Sequence, residues 1–149
     1  METTVQSLIA KYGADPAQII AMLQDLQSAK RYLPVEDLRA LAESLAIPLA
    51  RIYRIATFFK AFSLEPKGEH IINVCMGTAC HVRGAGRILD ELKRQLGVEQ
   101  GCTTDDQHFS LETVNCLGAC ALGPVVVVDQ EYHGDMQAGQ VKKLVEQYR

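Results

Sequence analysis

Four cysteines stand in two close pairs in the second half of a 149-residue chain: Cys75 and Cys80 with four residues between them, Cys116 and Cys120 with three. Thirty-five residues separate the pairs. Four thiolates make the donor set of a tetrahedral zinc ion or of an iron-sulfur cluster. Zinc ribbons favour two-residue gaps. The longer gaps here make looser loops, which would span the two irons of a [2Fe-2S] rhomb with one pair on each iron, so spacing favours the binuclear centre. The plant-type ferredoxin pattern needs a further cysteine where Arg83 stands, and is excluded. Met76-Gly77-Thr78-Ala79 and Leu117-Gly118-Ala119 are mostly small and let backbone N–H groups approach whatever the sulfurs hold. An oxidised four-thiolate cluster carries a charge of about −2. N–H dipoles from Gly77, Gly84, Gly86 and Gly118, and from a helix start near residue 84, are therefore expected around it.

Other chemistry-bearing residues carry less. Cys102 reads as a small buried hydrophobe, and His81, beside a set of sulfurs already complete, as a solvated loop residue. Tyr53, Phe58, Phe59 and Phe62 have the spacing of a helix face that packs a core or docks against the next domain. No Gly-rich loop of the G-x-G-x-x-G form is set between strand and helix, and residue order suggests no Ser-His-acid triad. The C-x-x-C arrangement suited to thiol-disulfide exchange is also missing.

The cysteine loops need strand ends to hold them. Residues 70–75 (HIINVC) suit a short buried strand, 84–97 a helix using Ile88, Leu89, Leu92 and Leu96 with Gly97 at its stop, and 109–116 a second strand. If the two strands are parallel neighbours, both cysteine pairs emerge on one edge of the sheet. Val125–Val128 is the strongest strand signal, with a return strand near Tyr132 and a last helix through Val141, Leu144, Val145 and Tyr148. The first half reads differently. Val5, Leu8, Ile9 and Tyr12 mark one helix ended by Gly13, and Asp15-Pro16 opens a second with Ile19, Ile20, Leu23 and Leu26 on its face. Val35, Leu38, Leu41, Ala42 and Leu45 mark a third over about 35–46, and Pro48 opens a fourth carrying Leu49, Ile52, Tyr53, Ala56 and Phe59. Glu65-Pro66-Lys67-Gly68 breaks the pattern. The expected organisation is α+β in two parts, a helical bundle over 1–65 and a cysteine-bearing domain over 66–149.

Composition bounds the rest. With 48% hydrophobic and 22% charged residues the chain is ordinary globular material. A formal charge of −3 offers no general cationic field for nucleic acid. No apolar run suits a membrane span and no signal peptide opens the chain, so a cytoplasmic protein without direct membrane insertion is expected. Five cysteines, an odd number, suit a reducing compartment better than a disulfide framework.

Arg31-Tyr32-Leu33-Pro34, Ile52-Tyr53-Arg54-Ile55-Ala56-Thr57-Phe58-Phe59, Val74-Cys75-Met76-Gly77-Thr78-Ala79-Cys80 and Asn115-Cys116-Leu117-Gly118-Ala119-Cys120-Ala121-Leu122-Gly123-Pro124 together resemble a known family. It is the [2Fe-2S] subunit, with a thioredoxin-like cluster domain, that accompanies the flavin subunit in respiratory complex I and in NAD-linked hydrogenases and formate dehydrogenases. The resemblance runs nearly end to end. It implies an N-terminal helical bundle and a thioredoxin-like [2Fe-2S] ferredoxin domain with a mixed four-stranded sheet and two helices. It further implies one cluster held by Cys75, Cys80, Cys116 and Cys120. FMN and NAD(H) are expected on a partner subunit of a multisubunit oxidoreductase with further iron-sulfur subunits, through which the chain would lie peripheral to a membrane. Arg31 and Arg54 stand where members often carry glycine. The leading expectation is a non-catalytic carrier of single electrons; a structural four-cysteine zinc module and a thiol-disulfide oxidoreductase are the alternatives.

Overall fold

A computed structural model describes residues 4–149, which divide into two compact units, one running to Pro66 and the other Lys67–Arg149. The first unit holds four helices: α1 (Val5–Tyr12), α2 (Ile19–Lys30), α3 (Val35–Ser44) and α4 (Leu49–Phe58). Local chemistry sets their ends. The Thr4 hydroxyl accepts the Ser7 N–H while the Ser7 hydroxyl accepts the Thr4 N–H, a reciprocal cap on α1. Asp15 accepts the Ala17 N–H at 2.9 Å and Pro16 opens a single 3-10 turn into α2. Pro34 and Pro48 stand as the caps before α3 and α4. Arg31 ends α2 in the left-handed region, φ 67°, where glycine would sit without strain.

Leu8, Leu23, Leu26, Leu38, Leu41 and Ile52 share one buried core. On α2 the buried stripe is Ile19, Met22, Leu23 and Leu26. Ile20, expected on that face, is 40% exposed, because Met22 lies closer to the centre of the stripe. Tyr53 and Phe62 pack against the core, whereas Phe58 is 80% exposed, so the aromatic group does not act as one face.

The second unit carries β1 (His70–Cys75), α5 (Thr78–Val82), α6 (Ala85–Leu96), β2 (Phe109–Val114), β3 (Val126–Val128), β4 (Glu131–His133) and α7 (Val141–Gln147). The sheet order is β2-β1-β3-β4. β1 and β2 are parallel from His70 opposite Phe109 to Cys75 opposite Val114, and the other pairings are antiparallel. A parallel pair needs a crossover, which α6 supplies. Ala85, Ile88, Leu89 and Leu92 of α6 share a core with Ile72, Val74, Phe109 and Leu111 of the central strands and Val141, Leu144 and Val145 of α7. Burying each such Leu or Ile contributes about 1.5–3 kcal/mol. The family resemblance implies two helices beside this sheet and three are present; the additional one, α5, has five residues, too few to show a period.

Gly68 is fixed by steric need. A Cβ there would lie 2.7 Å from the Phe109 carbonyl carbon, and its N–H donates to the buried Ser110 hydroxyl at 2.7 Å. The chain thus enters β1 pressed against β2. Among the described residues, no helix is long and apolar enough to cross a membrane.

Candidate metal centre

Cys75 closes β1, and β2 ends at Val114 directly opposite, two residues before Cys116. The parallel register therefore delivers both cysteine-bearing loops to one edge of the sheet. Cys80 arrives on α5, whose first turn follows Gly77, and Cys120 opens a 3-10 turn, Cys120–Leu122. All four cysteines line one cavity of about 400 Å³, with Gly77, Thr78, Ala79, Asn115, Leu117, Ala119 and Val125 as its remaining walls. None of the five cysteines forms a disulfide.

The sulfurs are close enough to act on one another. The Cys75 sulfur contacts those of Cys80 and Cys116, and Cys120 acts on Cys80 electrostatically. Burial pushes the Cys75 thiol up, but the N–H groups of Gly77 and Leu117 and the two neighbouring sulfhydryls outweigh it and leave its pKa lowered. Burial pushes the Cys80 thiol up, and although the Val125 N–H opposes this, the neighbouring Cys75 and Cys120 add to the rise. The Gly118 N–H donates to the Cys116 sulfur at 3.3 Å. A site whose N–H donors favour ionisation of one thiol among converging sulfurs suits a cation-rich inorganic centre.

Two glycines make room for it. A Cβ on Gly123 would lie 3.1 Å from the Cys80 sulfur and 3.2 Å from the Cys120 carbonyl oxygen. One on Gly77 would lie 3.1 Å from the Asn115 carbonyl oxygen and 3.6 Å from the Cys116 sulfur. The donor set, the volume and this close backbone lining together fit a binuclear iron-sulfur centre.

Several sequence expectations are corrected by this geometry. Gly84 and Gly86 do not line the cysteine cavity; they border a separate shallow one with His81, Arg83, Arg87 and Asp90. Gly77 and Gly118 do donate to the sulfurs as expected, and the N–H groups of Leu117 and Val125 take the place of the other two. Cys102 is exposed, not buried: its backbone is paired to Glu99 and Leu111 in the loop before β2, and it is absent from the cavity. His81 is exposed, as expected, but on α5 rather than in a loop. In the sequence, Arg83 stands out only as a position lacking cysteine. Its guanidinium donates to the carbonyl oxygens of Cys120 at 3.0 Å and Gly123 at 3.1 Å, tying α5 to the loop that carries the other pair. The Asp135 N–H to the Leu122 carbonyl and the Met136 N–H to the Pro124 carbonyl brace the same loop from behind.

A mixed four-stranded sheet with cysteine loops at one edge defines a class, and the comparisons agree. The chain belongs to the thioredoxin-like [2Fe-2S] ferredoxin family, whose model matches residues 5–149. It is 39% identical over 144 residues to the NADP-reducing hydrogenase subunit HndA of Solidesulfovibrio fructosivorans, covering 97% of this chain and 82% of that one. It is 35% identical over 147 residues to a subunit of the NADH-quinone oxidoreductase of Rickettsia prowazekii (strain Madrid E), covering 96% and 82%. Among solved structures, a chain of the NAD+-reducing [NiFe]-hydrogenase in the air-oxidised state superposes with a TM-score of 0.74 at 19% identity over 88% of this chain. This chain spans 22% of that one's length, and the likeness is one of fold.

Proposed function

We propose that this chain is the electron-transfer subunit of an NAD(P)H-linked oxidoreductase complex and that Cys75, Cys80, Cys116 and Cys120 hold its [2Fe-2S] cluster. The observation that carries the assignment is the convergence of those four side chains on one cavity in a chain of this family. A bound [2Fe-2S] centre takes up and gives back one electron at a time. The protein's part is to set the ligand geometry, aim N–H dipoles from Gly77, Leu117, Gly118 and Val125 at the sulfurs, and control solvent access.

The partner is a subunit carrying FMN and NAD(H), with further iron-sulfur subunits in the same assembly. The relatives' names support this, since they are subunits of an NADP-reducing hydrogenase and of an NADH-quinone oxidoreductase. Leu122, 48% exposed on the 3-10 turn that Cys120 opens, gives that turn an apolar side chain suited to docking. Such a subunit works in the cytoplasm or at a membrane surface through its partners. Family membership favours this assignment over a zinc module or a thiol-disulfide enzyme.

The test is purification under anaerobic conditions with iron, sulfide and zinc analysis. Two irons and two sulfides per chain, visible absorption, and a paramagnetic signal on one-electron reduction are expected. A colourless protein holding one zinc would overturn the assignment.

A further inference from the structure

The opposite end of β1 carries a second group of donor atoms. One ring nitrogen from each of His70 and His108 and a carboxylate oxygen of Glu69 lie within 4.8 Å of one another. His70 opens β1 and His108 immediately precedes β2, so the parallel register that gathers the cysteines at one edge gathers these residues at the other. With β1 six residues long, the two places are about 17 Å apart.

Hydrogen bonds fix the tautomer of each neutral ring. Asp129 Oδ2 lies 2.8 Å from His70 Nδ1, while its Oδ1 accepts the Ile71 N–H at 2.9 Å. A carboxylate can only accept, so His70 carries its proton on Nδ1 and its lone pair on Nε2. His108 Nε2 lies 2.8 Å from the Tyr148 carbonyl oxygen, also an acceptor, which places the lone pair of that ring on Nδ1. That lone pair faces Glu69 Oε2 at 3.1 Å. Two acceptors at this distance repel each other unless positive charge lies between them, either a second ring proton or a metal ion.

We propose that Glu69, His70 and His108 form a binding site for a zinc-class divalent cation, with Asp129 and the Tyr148 carbonyl orienting the two imidazoles. Two imidazoles and one carboxylate are a borderline donor set, suited to zinc and unlike the all-oxygen shells of calcium or magnesium. The 3.1 Å pair already has nearly the separation of about 3.3 Å that tetrahedral bonds of about 2.0–2.1 Å require. Glu69 is 66% exposed, which puts its carboxylate on the solvent side of the two rings. The carboxylate on His70 Nδ1 and the carbonyl on His108 Nε2 are the kind of outer contacts that metal-bound histidines use. Glu131, which accepts from the Tyr148 hydroxyl at 2.6 Å, adds negative charge nearby. Three protein ligands leave a fourth position for water or an outside ligand.

The experiment uses cluster-loaded protein, in which the four paired thiols are occupied, carrying Cys102→Ser to remove the exposed thiol. Zn2+ is titrated by calorimetry and Co2+ by visible absorption. One ion per chain with low-micromolar or tighter affinity is expected. His70→Gln and His108→Gln should each weaken binding at least about tenfold, and Asp129→Asn about 10- to 100-fold. Asparagine keeps an acceptor for the Ile71 N–H and tolerates the φ of 56° at that position. An unchanged cluster spectrum in each variant shows that it has folded. No binding at millimolar Zn2+, or wild-type affinity in either histidine variant, overturns the proposal.

Discussion

The two cysteine pairs reach the same cavity from different kinds of structure. Cys75 and Cys80 are 3% and 2% exposed, one at a strand end and one on a helix, and both belong to the apolar core of their unit. Cys116 and Cys120 are exposed and lie on a loop whose shape depends on Gly118 at φ 74°, on Arg83 and on backbone bonds to Asp135 and Met136. One pair is built into the packing; the other is held against it. The first pair is therefore placed by the core, and the second is open to solvent.

The largest effect separates the pairs by substitution. Cys75→Ser or Cys80→Ser puts a donor needing a shorter bond in a rigid, buried place that cannot shift to meet it, and visible absorption and iron content should be lost. Cys116→Ser leaves an oxygen donor on a loop able to make the small shift a shorter bond requires, so part of the iron should be retained with an altered spectrum. Equal loss in both cases would erase the contrast. The helices of the first unit should keep their circular dichroism throughout, because their core shares no residue with the cysteine unit.

Smaller effects come from the glycines. Gly123→Ala presses on the Cys80 sulfur and the Cys120 carbonyl together, at 3.1 and 3.2 Å, and should cost the loaded protein about 1–3 kcal/mol in thermal or denaturant unfolding. Gly118→Ala meets open space but keeps a positive φ, so only backbone strain of about 1–2 kcal/mol is expected. If Gly118→Ala proved the more damaging, the exposed loop would be the more constrained of the two regions.

The finest test lies within the buried pair. In iron-free protein, a 13C NMR titration of the cysteine Cβ atoms should show Cys75 ionising below the ordinary thiol value of about 8.5 and Cys80 above it. The stability that Cys75 contributes is full above the unfolded thiol pKa and falls away as pH drops through its lowered native value. Cys80 acts in the opposite sense: its contribution is full below the unfolded pKa and is lost as pH rises through its raised native value. Reversal of the order would show that a different sulfur receives the N–H dipoles.

Much of this arrangement is legible in the sequence, for identifiable reasons. α6 spans twelve residues, enough turns for Ile88, Leu89 and Leu92 to declare a face, and Gly97 marks its end with φ 69°. The strand-helix-strand order makes a shared edge for the two pairs a physical expectation, and the four paired cysteines do meet there. Part of what escapes the sequence has no side-chain signature. The amides of Leu117 and Val125 are ordinary backbone groups until the loop is folded, and α5 is a single short run. Residue type alone points Gly84 and Gly86 toward the sulfurs, yet the chain has turned away by α6. The exposure of Cys102 follows from backbone pairing in its loop. Arg31 is instructive in the other direction: a non-glycine residue at a helix end adopts the glycine-like φ of 67° all the same.

The parallel pairing of β1 with β2 also has a consequence for biosynthesis. The first two sulfurs leave the ribosome well before the other two, with the whole crossover still to be translated. During that interval a nascent chain offers only a two-thiol loop, open to stray ions and oxidants. On the proposed ligand set, iron delivery would have to wait for the late loop, and a finished centre would certify that the crossover has been made.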